Sequence, residues 1–209
     1  LPADYWRWWL LANIPETDDV NFTWEHFQAT VNKDLADVLG NFVSRVTKFC
    51  RSRFGEQVPE GGAWGELERA AAGEIAAGLA RLGDAWDKVA IRRAAAETRA
   101  LWVVGNEYLQ RAQPWATFKT DRDAAAAAVR FGLNLVRLYA GISRPFVPDA
   151  SDRMLAALGL EPADAGWPED AETALTALAP GHGFTTPEAL FAKIDDAARE
   201  AMAARFAGA

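Results

Sequence analysis

The chain has 209 residues, half of them hydrophobic and a quarter charged, with a net charge of −7. That balance excludes a disordered tract and suits a globular protein with a buried core; no run approaches the roughly eighteen apolar residues of a membrane span, and nothing reads as a signal peptide. Cys50 is the only cysteine, which excludes an intrachain disulfide and fits a reducing compartment, and the only histidines, His26 and His182, are too scattered around it for a zinc site.

The negative charge is concentrated at one end. Residues 1–148 hold 18 basic and 18 acidic side chains, whereas residues 149–209 hold 4 and 11. A phosphate responds to charge within a Debye length of ~8–10 Å rather than to the total. The acidic sum therefore does not exclude a nucleic-acid partner.

In chain order, the sequence opens with Leu1 rather than Met and reads as structured from the start, so it is expected to belong to a longer protein. Residues 4–11, DYWRWWLL, carry three tryptophans, a tyrosine and two leucines. As a helix this segment is apolar on nearly every side, which predicts an element wedged between domains, with Trp6, Trp8 and Trp9 in interdomain packing. IPETDD at 14–19 breaks it, and Val20–Thr23 reads as a short extended stretch. A long amphipathic helix follows over 24–54. Its apolar seam is Val31, Leu35, Val38, Phe42, Val46 and Phe49, with Arg45 on the edge. Cys50, on that helix, reads as a small core side chain. Pro59 and the Gly61–Gly62 pair mark the loop beyond it.

Further helices are expected at about 64–83 and 84–112. The second carries Trp86, Val89, Leu101, Tyr108 and Leu109 and is stopped by Pro114. Asp121 or Asp123 caps an alanine-rich helix running to about Ser143, with Phe131, Leu135, Leu138 and Ile142 on its buried face. Four long helices joined by short loops predict an all-α antiparallel bundle. Beyond Pro148 the texture changes to short helices and turns, with a last helical run from Pro187 onward.

A polar stripe lies beside the first seam: Asn41, Arg45, Lys48 and Ser52 fall at i, i+4, i+7 and i+11. An amide one turn from a guanidinium fork suits the reading of a base edge. Between residues 41 and 55 stand four cations, Arg45, Lys48, Arg51 and Arg53, and no acid. By itself the stripe reads first as a solvated helix face. A second basic run, Lys88, Arg92, Arg93 and Arg99, divides evenly between a solvated face and phosphate contact. In NEYLQRAQPW, Trp115 stands just past the Pro114 stop, as a core plug or as a stacking platform worth about 1–3 kcal/mol per base.

Taken together, Asn41-x-x-x-Arg45, Asn106-x-Tyr108 and Pro114-Trp115 resemble the C-terminal half of the methionyl-tRNA synthetase family, in its bacterial form. DYWRWWLLANIPETDDVNFTWEHF is similar to its stem-contact segment, VNKDLADVLGNFVSRVTKF to the first helix of its anticodon-binding bundle, and ALFAKID to its tail. The resemblance divides the chain into a stem-contact remnant (1–27), an anticodon-binding bundle (28–148) and a C-terminal extension that packs back toward a catalytic domain (149–209). It implies a cytoplasmic protein whose partner is methionine tRNA, read at its CAU anticodon. Asn41 and Arg45 then approach the anticodon bases, Trp115 stacks on the first of them, and Pro114 fixes the approach of the indole. Lys48, Arg51 and Arg53 are candidates for the tRNA backbone.

The same resemblance implies ATP with Mg for the full-length ligase, and neither cofactor nor metal in this segment. The family's His-Ile-Gly-His and Lys-Met-Ser-Lys-Ser signatures do not occur in these 209 residues, nor does its zinc-bearing insertion. Catalysis is therefore expected from an N-terminal catalytic domain outside this stretch. GHGF at 181–184 sits between Pro180 and a Thr-Thr-Pro turn, and His182 reads as a turn residue. Two alternatives stand beside this one: the anticodon domain of another class I synthetase, and a helical module that docks a protein through its aromatic N-terminus and acidic tail. A di-metal bundle lacks the Glu-x-x-His pairs it needs.

Overall fold

The structure is a computed structural model that describes residues 1–16, 19–164 and 166–207. Thr17 and Asp18 of the expected break at 14–19, and Ala165, Gly208 and Ala209 of the C-terminal extension, lie outside the described residues. Among the described residues the only β pairing is an isolated antiparallel bridge between Gln57 and Gly183, and every longer element is a helix. In order these are α1 (Ala3–Ala12), α2 (Trp24–Thr30), a π-helical stretch (Val31–Gly40), α3 (Asn41–Phe54), α4 (Glu66–Asp87), α5 (Ile91–Ala112), α6 (Pro114–Thr117), α7 (Arg122–Ser143), α8 (Pro148–Ala157), α9 (Ala171–Thr176) and α10 (Asp196–Phe206). None is long and apolar enough to cross a membrane.

The expected helix over 24–54 forms as one continuous rod from α2 to α3. Thr23, in extended backbone, starts it by accepting the His26 N–H at 3.1 Å. The middle of the rod is wider than an α-helix, and the Asn41 N–H reaches back five residues to the Ala36 carbonyl. That extra residue per turn moves the seam. Leu39 is fully buried where the simple spacing predicted Val38; Val38 and Phe49 remain half-buried, and Cys50 is in the core as expected.

The break between the next two helices is also displaced. Gly83 lies inside α4, which runs on through Trp86 to Asp87, and the turn falls at Lys88–Ala90. Val89 makes that turn with φ at 53°, an uncommon conformation for a β-branched residue, and its side chain is exposed. No glycine or proline marks the position.

Asp121, one of the two expected caps, starts α7 by accepting the Ala124 N–H at 2.9 Å. The predicted face Phe131, Leu135, Leu138 and Ile142 is buried, and so are most of the remaining side chains of α7. This helix is the axis of the bundle, with α3, α5, α6, α8 and α9 packed around it. Gly105 on α5 permits a close crossing: a Cβ there would lie 2.5 Å from the Tyr139 hydroxyl and 2.8 Å from the Phe42 ring. Any side chain at 105 forces α3, α5 and α7 apart.

Both terminal segments are drawn into the core, and the C-terminal one departs from the expected helical run. Trp8 and Trp9 are buried, and Trp8 packs against side chains of the 28–148 segment. The Trp8 ring lies 4.7 Å from that of Trp102 and 5.8 Å from that of Phe146, and its indole N–H donates to Asp34 at 3.2 Å. At the other end, residues 187–195 are not helical, and α10 begins only after the Asp195 cap. The backbone of this stretch is satisfied by side chains instead. Asn32 exchanges two 2.8 Å hydrogen bonds with Ile194, and the Tyr5 hydroxyl donates to the Ala192 carbonyl at 2.7 Å while accepting its N–H. One continuous hydrophobic cluster runs from Tyr5 to Ile194.

Candidate nucleic-acid interface

The polar stripe on α3 is on the surface as its spacing requires: Asn41, Lys48 and Ser52 are exposed and Arg45 is half-buried. Asn41 is the first residue past the π-helical stretch, and that stretch is held from the side. The Asn106 amide on α5 donates to the Val38 carbonyl at 3.0 Å and to its own Trp102 carbonyl at 3.1 Å. Asn106 thereby sets where the wide turn ends and where Asn41 emerges. Sequence reasoning saw Asn106 as part of a signature and missed this role, because nothing in the local pattern announces a π-helical segment.

Trp115 sits in the connection between α5 and α7. Gln113 ends α5 in the left-handed region (φ 42°, ψ 55°), and the chain re-enters helix at Pro114, the first residue of α6. A proline there has its φ preset and gives up an N–H that would be unpaired anyway. The turn is pinned by the Thr117 hydroxyl on the Ala112 carbonyl at 2.9 Å and by the Phe118 N–H on the Pro114 carbonyl at 2.9 Å. Pro114 itself is buried, whereas Trp115 is 36% exposed. The indole lies at the surface and is not a core plug.

The two helices bring their residues together. The Arg45 guanidinium carbon lies 4.6 Å from the centroid of the Trp115 ring, within cation–π range. Asn41 stands one turn back along the same face of α3, with its side-chain amide unengaged by any described residue. No carboxylate of a described residue lies within 4.0 Å of Arg45, Lys48 or Arg53; Arg51 alone of these cations approaches one, Glu56 at 3.9 Å. An exposed indole, a guanidinium fork and an amide at one edge can stack a planar ring and hydrogen-bond its rim.

The second basic run is different. Lys88 and Arg93 both pair with Asp84, at 2.7 and 3.0 Å, and the Lys88 hydrogen bond foremost holds the Asp84 carboxyl below its ordinary range. Arg92 meets Glu16 at 3.8 Å, and Arg99 meets the buried Asp34 at 2.5 Å. Each cation of this run thus has a carboxylate partner within the chain, an arrangement that neither the solvated-face nor the phosphate-contact reading anticipated.

The remaining residues singled out in the sequence are structural. Tyr108 is buried and donates to Glu68 at 2.5 Å; burial and the Glu68 charge both push its phenol upward. Cys50 is buried, with its sulfur 3.4 Å from the Gln57 carbonyl, and burial raises the thiol to about 12. His182 follows the Gly181 turn, where its ring contacts the Leu158 carbonyl at 2.7 Å and its own carbonyl accepts the Val58 N–H.

A family model described as the anticodon binding domain of methionyl tRNA ligase matches residues 58–209, and one described as tRNA synthetases class I (M) matches residues 1–47. Among curated proteins, the chain is 62% identical over 208 residues to methionine–tRNA ligase of Dinoroseobacter shibae and 60% identical to that of Ruegeria sp. strain TM1040. Each alignment covers all of this chain and 36% of the relative, so the chain spans about a third of their length. Among solved structures, the free methionyl-tRNA synthetase of Mycobacterium tuberculosis superposes with a TM-score of 0.80 at 23% identity, covering 92% of this chain and 39% of the other. The complex of the same synthetase with methionyl-adenylate gives 0.79 at 24%, covering 90% and 37%. At that identity the structural likeness speaks to the fold alone.

Proposed function

The chain belongs to the family of the methionyl tRNA ligase anticodon-binding domain, and from that premise we propose that it reads the CAU anticodon of methionine tRNA. The observation that carries the reading is the Arg45 guanidinium resting 4.6 Å over the exposed Trp115 ring, with Asn41 one turn away. An unpaired loop base that slides onto the indole gains stacking energy of about 1–3 kcal/mol. Its edge then meets the two side chains of α3. Cytosine offers an N4 donor beside N3 and O2 acceptors; the Asn41 amide oxygen accepts from the first, and Asn41 and Arg45 N–H groups donate to the others. Uracil reverses the donor pattern at two of these positions. Pro114 orients the platform, and Lys48, Arg51 and Arg53 supply salt-dependent attraction to the backbone.

Within this reading, residues 1–27 are the stem-contact remnant, 28–148 the anticodon-binding bundle and 149–209 the extension that faces a catalytic domain. Methionine activation with ATP and Mg, in the cytoplasm, is assigned to the whole ligase and not to this third of its length. The function is tested by titrating the chain with a CAU anticodon stem-loop. Trp115→Ala is expected to lower affinity roughly 10- to 100-fold, the loss of one stacked base, while the thermal midpoint stays near that of the parent. Unchanged affinity in a folded variant contradicts the platform role.

A further inference from the structure

Three residues beyond Trp115, Phe118 carries a second arrangement that sequence reasoning did not single out. The Arg53 guanidinium carbon lies 5.5 Å from the Phe118 centroid, and that of Arg122 lies 5.3 Å from Phe118 and 5.5 Å from Phe54. Phe49, Phe54 and Phe118 pack edge to face beneath them, with Phe118 at 6.2 Å from Phe49 and 5.3 Å from Phe54. A guanidinium stacked on a ring has its plane fixed and its N–H edge turned outward.

Neither arginine has a carboxylate of a described residue within 4.0 Å. Arg122 also stands at the first position of α7, where the helix dipole disfavours a cation. The neighbouring Asp121 carboxylate is engaged with the Ala124 N–H. Two cations are therefore held close to one ring with their charge uncompensated by a direct partner.

The geometry links this pair to the platform. Arg45, Phe49 and Arg53 share one side of α3 at i, i+4 and i+8, facing Trp115 and Phe118. The two rungs, Arg45–Trp115 and Arg53–Phe118–Arg122, are separated by about 12 Å along the helix at 1.5 Å per residue. Resting on the reading of the first rung as a base platform, we propose that Arg53 and Arg122 together grip a phosphodiester of the same RNA strand, a short way along it from the base on Trp115. Two guanidinium forks suit the paired oxygens of a phosphate. The contact carries no base information; it sets register and affinity.

The test uses the full chain and a CAU anticodon stem-loop. The Arg53→Gln/Arg122→Gln double variant is expected to bind at least about tenfold more weakly at low salt. Its slope of log affinity against log salt flattens by about 1 per arginine removed, and the preference for CAU over an altered anticodon is unchanged. Stem-loops with one neutral methylphosphonate placed in turn around the loop give a readout that leaves the protein intact. One position should weaken the parent by a similar factor and leave a folded double variant unaffected. If the parent chain binds no stem-loop, the anticodon reading fails and this one with it. If binding depends on Trp115 but no single phosphate matters, or the folded double variant keeps its affinity and slope, the Arg53–Arg122 grip is overturned, and an unchanged slope also removes Arg53 from the backbone contacts while the Trp115 platform stands.

Discussion

Arg45, Lys48, Arg51 and Arg53 occupy nine residues of α3, and Lys88, Arg92, Arg93 and Arg99 occupy twelve across the α4–α5 turn. In composition the two runs are nearly the same. In the fold the second is compensated almost completely: Asp84 takes two of its cations, Glu16 a third, and buried Asp34 the last. The first is left open on one side and backed by aromatic rings on the other, with Arg45 on Trp115 and Arg53 on Phe118. A carboxylate partner satisfies a guanidinium and removes its field, whereas a ring holds it in place and leaves its donors available. Density of positive charge along the chain does not distinguish these outcomes. The partner does.

The largest effect that probes this contrast is on stability and belongs to the compensated run. Arg99→Ala leaves Asp34 buried with only the Trp8 indole as donor. Breaking such a pair is expected to cost about 3 kcal/mol in chemical denaturation, with stem-loop affinity unchanged in the folded protein. A stable variant with weakened RNA binding would falsify the separation. Lys88→Gln/Arg93→Gln removes two exposed partners of Asp84, and solvent screening leaves no detectable change expected in stability and none in RNA binding. A substantial loss of affinity there would place the RNA on the wrong face.

Cys50 sharpens the comparison from the inner side of α3. Its thiol is raised by burial from the ordinary 9.0 to about 12. The protonated thiol favours the folded state, fully below pH 9 and progressively less as pH rises toward 12. Maleimide labelling at pH 8 should therefore be slow and limited by unfolding, and unaffected by bound stem-loop except through stability. Rapid labelling of the folded chain would show that α3 is not seated as described.

Much of the architecture was legible because it rests on periodicity. The helix over 24–54, the Asp121 cap and the apolar face of α7 all follow from spacing and cap chemistry, and the stripe from Asn41 to Ser52 is exposed as its offsets require. What the sequence hid depends on contacts between distant segments. The π-helical stretch has no local signature, and within it Leu39 rather than the expected Val38 faces the core. The α4–α5 turn uses Val89 in a left-handed conformation with no glycine or proline to mark it, and the expected boundary near 83 fell a few residues early. The non-helical 187–195 segment is held by Asn32 and Tyr5, more than 150 residues away, which satisfy part of its backbone. At the site, Pro114-Trp115 was visible as a pair, but Phe118 and Arg122 gain meaning only when α3 is laid beside them.

The central claim is that the cation on the Trp115 ring recognises the first anticodon base, and a double-mutant cycle measures it. Parent and Arg45→Gln chains are titrated with stem-loops carrying cytosine or uracil at that position. The parent should prefer cytosine by roughly 10-fold or more, equivalent to one good base-edge contact of about 1–3 kcal/mol, and Arg45→Gln should lose most of that preference while remaining folded. Equal preference in both proteins would contradict the account, because the guanidinium would then contribute nothing to the reading of the base.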